Sequence, residues 1–542
     1  MTSGITRTRD SFRSLQERII TYILVCIGSV IVLLFADFWF AAEHIPANFS
    51  GTWHLLDLVL FAAVTFVVWY QVMNEVLSWD LVLSMREPIP VAAEPKRKVA
   101  LLTAFVPGKE PIDLLETTLR AMVAVTYPHD TWLLDEGDDD AAKKLCASLG
   151  VKHFTRKHSP HYNQAGGTYA AKTKSGNYNA WFTEHGAEYE FVAQHDMDFV
   201  PVPEYLDETL GYFRDPNVAF VGTPQIYGND TESWIARGAA EQAYGFYGSI
   251  QKGLFGKDMH LFIGANHVIR TEAHDDIEGY AGHIVEDHLT GMRLYRRAWR
   301  SVYVPKVLLV GEGPSTWDAY FGQQMRWAFG LMDILFRHSP RIIPGMRLSH
   351  AVRYFLMQQY YFYGLAQAIG ILLIALYVFF GVTSATMDLS WLLFYYALFL
   401  LAQIIIFLWL QRFYIRPQYE SGFHIAGKLL NIAAWPIYLV AFFGALIGKK
   451  VTYRVTPKGG AQNAPLDMSM FAPHAILGTI TLVALVYGYL VGRHAPFLAF
   501  WAALNTVFMY GFCAYAYFSL KRKRIAAFLR KISFGAKRRR IA

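Results

Sequence analysis

The sequence predicts a multi-span α-helical membrane protein with a cytoplasmic α/β domain set between two membrane blocks. Three observations carry this. The chain of 542 residues is 54% hydrophobic and only 17% charged, whereas a soluble protein usually carries nearer a quarter charged. The apolar excess lies in runs long enough to span a bilayer, gathered towards the two ends of the chain. Residues 96–345 between them have ordinary globular composition, with short apolar strand-like runs alternating with helical patterns.

Taken in order, residues 1–18 are a basic N-terminal segment containing Arg7, Arg9, Arg13 and Arg18. Residues 19–78 hold two spans, 19–41 (IITYILVCIGSVIVLLFADFWFA) and roughly 53–77. The first run is longer than a signal-peptide core and no A-x-A site follows it, so it reads as an anchor. The loop 42–52 has no Lys or Arg, which places the N-terminus in the cytoplasm and, after two spans, the 96–345 domain there too. Residues 346–411 hold the spans 352–380 and 389–411, and residues 474–520 hold 474–493 and 497–519. Between these pairs, 412–473 contains Arg412, Arg416 and Lys428. Its apolar piece 428–450 would break the parity of the spans if it crossed. With Pro436 inside and lysines at both ends it reads as a helix at the cytoplasmic interface, giving six spans and two cytoplasmic termini in a plasma (inner) membrane.

The tail 521–542 is strongly basic. Such a run suits nucleic acid or anionic lipid, and its place beside a last span favours lipid; no nucleic-acid partner is expected. The three cysteines have no C-x-x-C partner and no metal-ligand spacing, so neither disulfides nor a thiolate metal site is expected.

Within the domain, KVALLTAFVP (98–107) reads as a buried strand and PIDLLETTLRAMVAV (111–125) as a helix. A second strand ends in Asp135 and is followed by a Gly turn and three aspartates, 138–140, suited to capping the next helix. YEFVAQHDMDFVP repeats the pattern, with Asp196 and Asp198 at the carboxyl end of a strand. Ligands of open α/β sheets bind at that edge, so two acidic clusters there imply one shared site. Hard oxygen donors beside a nucleotide's phosphates suit Mg2+ or Mn2+. His195 is read as a packing or hydrogen-bonding residue, because such a metal prefers oxygen. The remaining segments are KSGNYNAW (174–181), GHIVEDHLTGMRLYRRAW (282–299), where Glu286 and Asp287 open a helix, and GQQMRWAFG (322–330). Taken singly, each also fits a solvated charge or an ordinary helix start.

Their order along one chain resembles the processive membrane family-2 glycosyltransferases, the group of cellulose, chitin, hyaluronan and curdlan synthases, over about 96–520. Asp135 in DEG matches the first aspartate motif, with Glu136 where a second Asp is common. Asp196 and Asp198 match D-x-D, Asp287 matches T-E-D with Val285 replacing Thr, and Gln323, Arg326 and Trp327 match Q-x-x-R-W. The stretch 301–317 (SVYVPKVLLVGEGPSTW) is most similar to the cellulose-synthase branch, and YRVTPKG (453–459) resembles that branch's gating loop. One departure is clear: the first strand ends in PGKEP, with Lys109 in the position of an Asn, so the place of Glu110 is open.

The resemblance implies a GT-A-like domain at 96–345 that is processive and inverting. It would polymerise a UDP-sugar, glucose by the 301–317 segment, into a β-linked polysaccharide and translocate it. Asp287, with Glu286 beside it, is then the base for the acceptor hydroxyl. Asp135, Lys174, Asp196, Asp198, Gln323 and Arg326 bind the nucleotide sugar, and Asp198 and Asp196 hold the metal. Trp327 faces the acceptor sugar, and Tyr453, Val455, Thr456 and Lys458 belong to the gating loop. Gln358 and Gln359, among the aromatics of YFLMQQYYFYG (354–364), suit either a glycan path or an interfacial belt. A single-addition enzyme acting on a lipid acceptor would share the acidic motifs, and a non-catalytic nucleotide-sugar-binding membrane protein is the rival from another class. There is no cyclic-di-GMP-binding signature, so any regulatory or export partner would be another chain.

Overall fold

The structure is a computed structural model that describes residues 6–449 and 467–538, with side chains through 519. The central domain is built on a seven-stranded sheet of β1 (Val99–Phe105), β2 (Asp130–Asp135), β3 (Lys152–Phe154), β4 (Phe191–His195), β5 (Val218–Gly222), β6 (Asn266–Arg270) and β7 (Arg300–Tyr303). Their order is β7-β5-β6-β4-β1-β2-β3. As the strand–helix alternation predicts, neighbours are parallel, except that β6 runs antiparallel to both β4 and β5.

The sheet is buried on both faces, as parallel sheets are. Along β1, Val99, Leu101 and Phe105 enter one core cluster and Ala100 and Leu102 the other, the period-2 alternation of a strand. The connecting helices of most use below are α1 (Ile112–Val123), α2 (Asp140–Leu149), α3 (Lys174–His185), α4 (Trp234–Gly245), α5 (Glu286–Arg296) and α6 (Trp317–Asp333). The expected cap of α2 is formed by Asp139, whose carboxylate accepts from the N–H groups of Ala141 and Ala142. A small three-stranded sheet (Val200–Pro201, Leu309–Gly311, Ile226–Tyr227) leans on the carboxyl edge of the large one.

Among the described residues, seven helices are long and apolar enough to cross a membrane by length and composition: Leu15–Trp39, Gly51–Val82, Leu348–Phe380, Leu389–Phe413, Ile425–Leu446, Met468–Leu490 and Pro496–Ser519. Six correspond to the expected spans. The seventh, α7 (Ile425–Leu446), is the piece read from sequence as an interface helix. Half of its most apolar window is buried inside the protein, the largest share among the seven. It packs along α4 and α6, and Gly427 exchanges hydrogen bonds with Glu241 and Gln242 of α4.

The N-terminal segment holds a strand that its charge pattern did not suggest. Thr8–Asp10 pairs antiparallel with Arg86–Pro88, just after the second membrane helix. Glu87 of this ribbon meets the ammonium of buried Lys252 at 2.9 Å. Lys252 also donates to the Phe413 carbonyl, which ties the domain to the end of a membrane helix.

Candidate active site

The antiparallel strand β6 creates the site. Because Asn266 pairs with His195, the residues that lead into β6 lie beside the carboxyl end of β4, where Asp196 and Asp198 emerge. Asp196 is held there by its own backbone N–H, which donates to the Ala265 carbonyl at 3.2 Å.

Lys174 is the first residue of α3, whose cap is Thr173. Its ammonium donates to Asp196 Oδ1 at 2.5 Å and to the Gly264 carbonyl at 2.8 Å. Burial alone would lower the Lys174 pKa, but the facing Asp196 outweighs it and the ammonium is held above its ordinary range. Asp198 is buried, and its Oδ2 accepts from the Glu312 N–H at 3.2 Å. Glu312 follows the small-sheet strand Leu309–Gly311. A Cβ on Gly311 would lie 2.6 Å from the Phe199 ring, so the close seating of that strand under Asp198 needs a glycine there.

Asp287 opens α5 beside Glu286. Its Oδ2 accepts from the Gly264 N–H at 3.1 Å and its Oδ1 from the His288 N–H at 2.8 Å. Burial raises the pKa of both carboxyls, and the charge of Asp287 raises Glu286 further. A carboxylate that is reluctant to stay ionised is a better base near neutral pH.

Asp196, Asp198, Lys174, Glu286, Asp287, Gln323, Arg326 and Trp327 all line one cavity of about 1600 Å3. The same cavity continues to Tyr360, Asn431 and Tyr438 among the apolar helices. Tyr360 donates to Asn431 Oδ1, and Tyr438 donates to Gln324 Oε1 at 2.8 Å.

Several sequence expectations change here. Asp135 is fully buried and does not line the cavity. Its carboxylate accepts from the N–H groups of Gly137 and Asp139 and meets His153 Nε2 at 3.2 Å, so it shapes the turn into α2. Its neighbours Glu136 and Gly137 reach the cavity instead. Glu136 pairs at 2.5 Å with Arg156, itself fully buried, which also donates to the carbonyls of Tyr162, Ala170 and Thr173. The pair thereby fixes the loop that delivers Lys174. Glu110, left open by the Lys109 departure, accepts from the Val106 N–H at 2.7 Å and lines the cavity.

Gln358 and Gln359 form neither a glycan path nor a surface belt. Gln358 is completely buried, with its amide between His288 Nε2 and the Ser339 hydroxyl. Gln359 donates to Asn74 at 2.6 Å. Buried amides need partners, and here the partners are other helices. His195 is buried away from the cavity, with its ring pushed down to about 4 by burial, in line with a packing role. Tyr453, Val455, Thr456 and Lys458 lie outside the described residues.

Gly264 was missed by sequence reasoning. Its two backbone groups hold Lys174 and Asp287, and a Cβ there would lie 3.0 Å from Asp287 Oδ2. The only signal was a glycine just ahead of a strand, which also fits a bulge or a turn.

Residues 191–410 match the family described as Glycosyl transferase family group 2. This stretch of the chain is similar to family 2 glycosyltransferases. The match begins at β4 and takes in Asp196, Asp198, Asp287, Arg326 and Trp327, while Lys174, Asn431 and Tyr438 of the same cavity lie outside it. The chain is 28% identical over 329 residues to the UDP-forming cellulose synthase catalytic subunit of Xanthomonas axonopodis pv. citri, covering 58% of this chain and 42% of that protein. It is 25% identical over 426 residues to the corresponding subunit of Pseudomonas fluorescens, covering 76% of this chain and 54% of that one. The chain thus spans about half the length of these curated relatives. Among solved structures, a mannosyltransferase from Pyrobaculum calidifontis in complex with GDP-Man and Mn2+ is 14% identical, with a TM-score of 0.46 over 72% of this chain and 100% of that one.

Proposed function

We propose that this protein is a family 2 glycosyltransferase, a processive, inverting polysaccharide synthase. It takes a nucleotide diphosphate sugar, UDP-glucose first among the candidates, extends a β-linked polymer and passes it into the membrane block. The observation that carries the reading is the single continuous cavity. It joins the acidic strand ends, the start of α5, the Gln323–Trp327 face of α6 and the tyrosines of the apolar helices. A single-addition enzyme has no need of a polar, aromatic-lined path leading away from the chemistry into apolar helices.

In this reading the donor's diphosphate lies against Lys174, Arg326 and Gln323. The ammonium is a point charge and the guanidinium a planar fork for the departing phosphate oxygens. Asp196 and Asp198 fit a divalent cation by their chemistry: both offer carboxylate oxygen at the carboxyl edge of β4, which suits Mg2+ or Mn2+. When bound, the ion would neutralise negative charge developing on the leaving diphosphate. Asp135 acts at a distance, by shaping the turn that presents Glu136 and Gly137.

The acceptor sugar stacks on Trp327 with its terminal hydroxyl towards Asp287. Asp287 takes the hydroxyl proton as the oxygen attacks the anomeric carbon and the bond to the diphosphate breaks on the opposite face. Direct displacement on an α-linked donor inverts that carbon and gives a β-linkage. Lengthening by repetition requires the product to advance past Trp327, towards Tyr360 and Tyr438. The domain and both termini are cytoplasmic, and α7 rests at the cytoplasmic face of the plasma membrane. The reading of α7 is supported by its burial against α4 and α6 and by the parity of the charged loops.

The test is donor turnover by purified protein in lipid. UDP-glucose, UDP-N-acetylglucosamine, UDP-glucuronate and GDP-mannose are offered singly and in pairs with Mg2+ or Mn2+, following nucleotide release and insoluble product. High-molecular-weight product from UDP-glucose alone is expected. Nucleotide release with only short products would favour single addition, and binding without turnover of any donor would favour a non-catalytic nucleotide-sugar-binding protein.

A further inference from the structure

The segment that leads into Asp287 is anchored on the helix that carries Arg326 and Trp327. The Val285 N–H donates to His283 Nδ1 at 3.1 Å, so the neutral ring keeps its proton on the other nitrogen. That nitrogen, Nε2, lies 3.2 Å from Asp333 Oδ2 and donates to it. Asp333 is the last residue of α6, and its other oxygen is held at 2.5 Å by Arg337, one turn on. His283 is nearly buried, its side chain 9% exposed. The two segments also touch directly: a Cβ on Gly330 of α6 would lie 2.2 Å from Val285 Cγ2.

We propose that His283 and Asp333 are positioning residues that latch the Val285–Glu286–Asp287 segment to α6. The latch sets the distance between the carboxylate facing the acceptor hydroxyl and the Trp327 platform on which the acceptor lies. It rests on the reading of Asp287 as the base. The imidazole spans the gap with two opposed hydrogen bonds, one to a backbone N–H two residues before Asp287 and one to a carboxylate six residues after Trp327. A shift of α6 is therefore passed to Asp287 through one rigid ring.

His283, Asp333 and His338 also lie close enough to share a cation, their donor atoms all within 4.8 Å of one another. The hydrogen bonds disfavour that use. Nε2 of His283 carries a proton rather than an open lone pair, and the Arg337 guanidinium already neutralises Asp333.

The test uses the full chain in lipid, with kcat, donor Kd, thermal unfolding and metal content measured in parallel. His283→Asn keeps an acceptor for the Val285 N–H and loses the reach to Asp333; His283→Gln keeps a donor for Asp333 and loses the acceptor. Each is expected to lower kcat by about tenfold or more, since misplacement by about 1 Å can cost a hundredfold, with donor Kd within about twofold of wild type. Asp333→Ala should match His283→Asn, and the double variant should be no worse than the poorer single. Wild-type kcat in His283→Asn, or losses that multiply in the double variant, overturns the latch. So does a stoichiometric transition metal in the wild-type protein that is lost from His283→Asn, which would mark a metal centre. Asp287→Asn, run beside them, separates the two readings. Turnover retained by Asp287→Asn removes the base and leaves the latch no carboxylate to place, whereas an inactive Asp287→Asn beside a fully active His283→Asn removes the latch alone.

Discussion

Gly264→Ala adds one methyl group at the point where both halves of the site are held. The backbone at Gly264 is in a region open to any residue, so the effect is steric rather than conformational. The new Cβ would lie 3.0 Å from Asp287 Oδ2 and 3.3 Å from both Asp287 Cβ and Glu286 Oε1. Comfortable contact begins near 3.5 Å, so the carboxylates must retreat by about half an ångström, and the Gly264 N–H bond to Oδ2, now 3.1 Å, lengthens with them. A hydrogen bond to a charged group contributes about 1.5–3 kcal/mol, and losing part of it while displacing the proposed base is expected to lower kcat about tenfold, or ~1.4 kcal/mol in the barrier. The Gly264 carbonyl still faces Lys174, so donor Kd should stay within about twofold. The assay is nucleotide release beside donor binding, with Gly166→Ala as the control, since a Cβ there meets open space. An unchanged kcat, or a donor Kd that rises as much as kcat falls, would refute the assignment of Gly264 to the base rather than to the donor.

Asp198→Ala is expected to weaken metal-dependent nucleotide binding while leaving the sheet intact; equal affinity with and without Mn2+ in both proteins would remove the metal role. Trp327→Ala should spare donor binding and shorten the product, because it strips the proposed acceptor platform from α6 and leaves Lys174 and Arg326 in place; wild-type chain lengths by gel filtration would count against it. Glu286→Gln is expected to raise Tm near neutral pH. Burial and the neighbouring Asp287 lift the Glu286 pKa in the folded state, and a carboxyl so shifted supports the fold at low pH and loses that support as pH rises through its folded value. The gain in Tm should therefore shrink towards pH values near the unfolded carboxylate value of about 4.3, and a gain of equal size at both pH values would rule the explanation out.

The parts of the site that were legible in the sequence are those where a side chain sits at an edge set by local pattern. Asp196 and Asp198 follow a strand, Glu286 and Asp287 start a helix, and Arg326 and Trp327 share a helix face, so period and position sufficed. What could not be read depends on pairing across long sequence distance or on atoms common to every residue. The reversed direction of β6 is a matter of which neighbours it meets, and nothing in NHVIR encodes it. Gly264 acts through its N–H and carbonyl, and Asp135 looks like a site residue until its oxygens are seen facing the turn that follows it. Gln358 and Gln359 mislead for a related reason. An amide among aromatics suits a sugar as well as it suits His288, and only the packing of helices distinguishes the two.

Adjacent residues in the site motifs join the cavity wall to the apolar helices. In α6, Gln323 and Gln324 both line the cavity, and Gln324 accepts the hydroxyl of Tyr438 from α7. In α5, Asp287 and His288 both line it, and His288 meets the buried amide of Gln358 at 3.2 Å. Neighbouring residues on a helix point about 100° apart, so a one-residue step brings a second helix within reach of the same wall. The proposed base, Asp287, and the helix of the proposed acceptor platform, Trp327, are thus each pinned to the apolar block through a neighbouring residue of the same motif. Contacts this short leave little independent movement between domain and membrane block, and a polymer advancing towards Tyr360 and Tyr438 would meet groups whose positions already depend on the helices that hold Asp287.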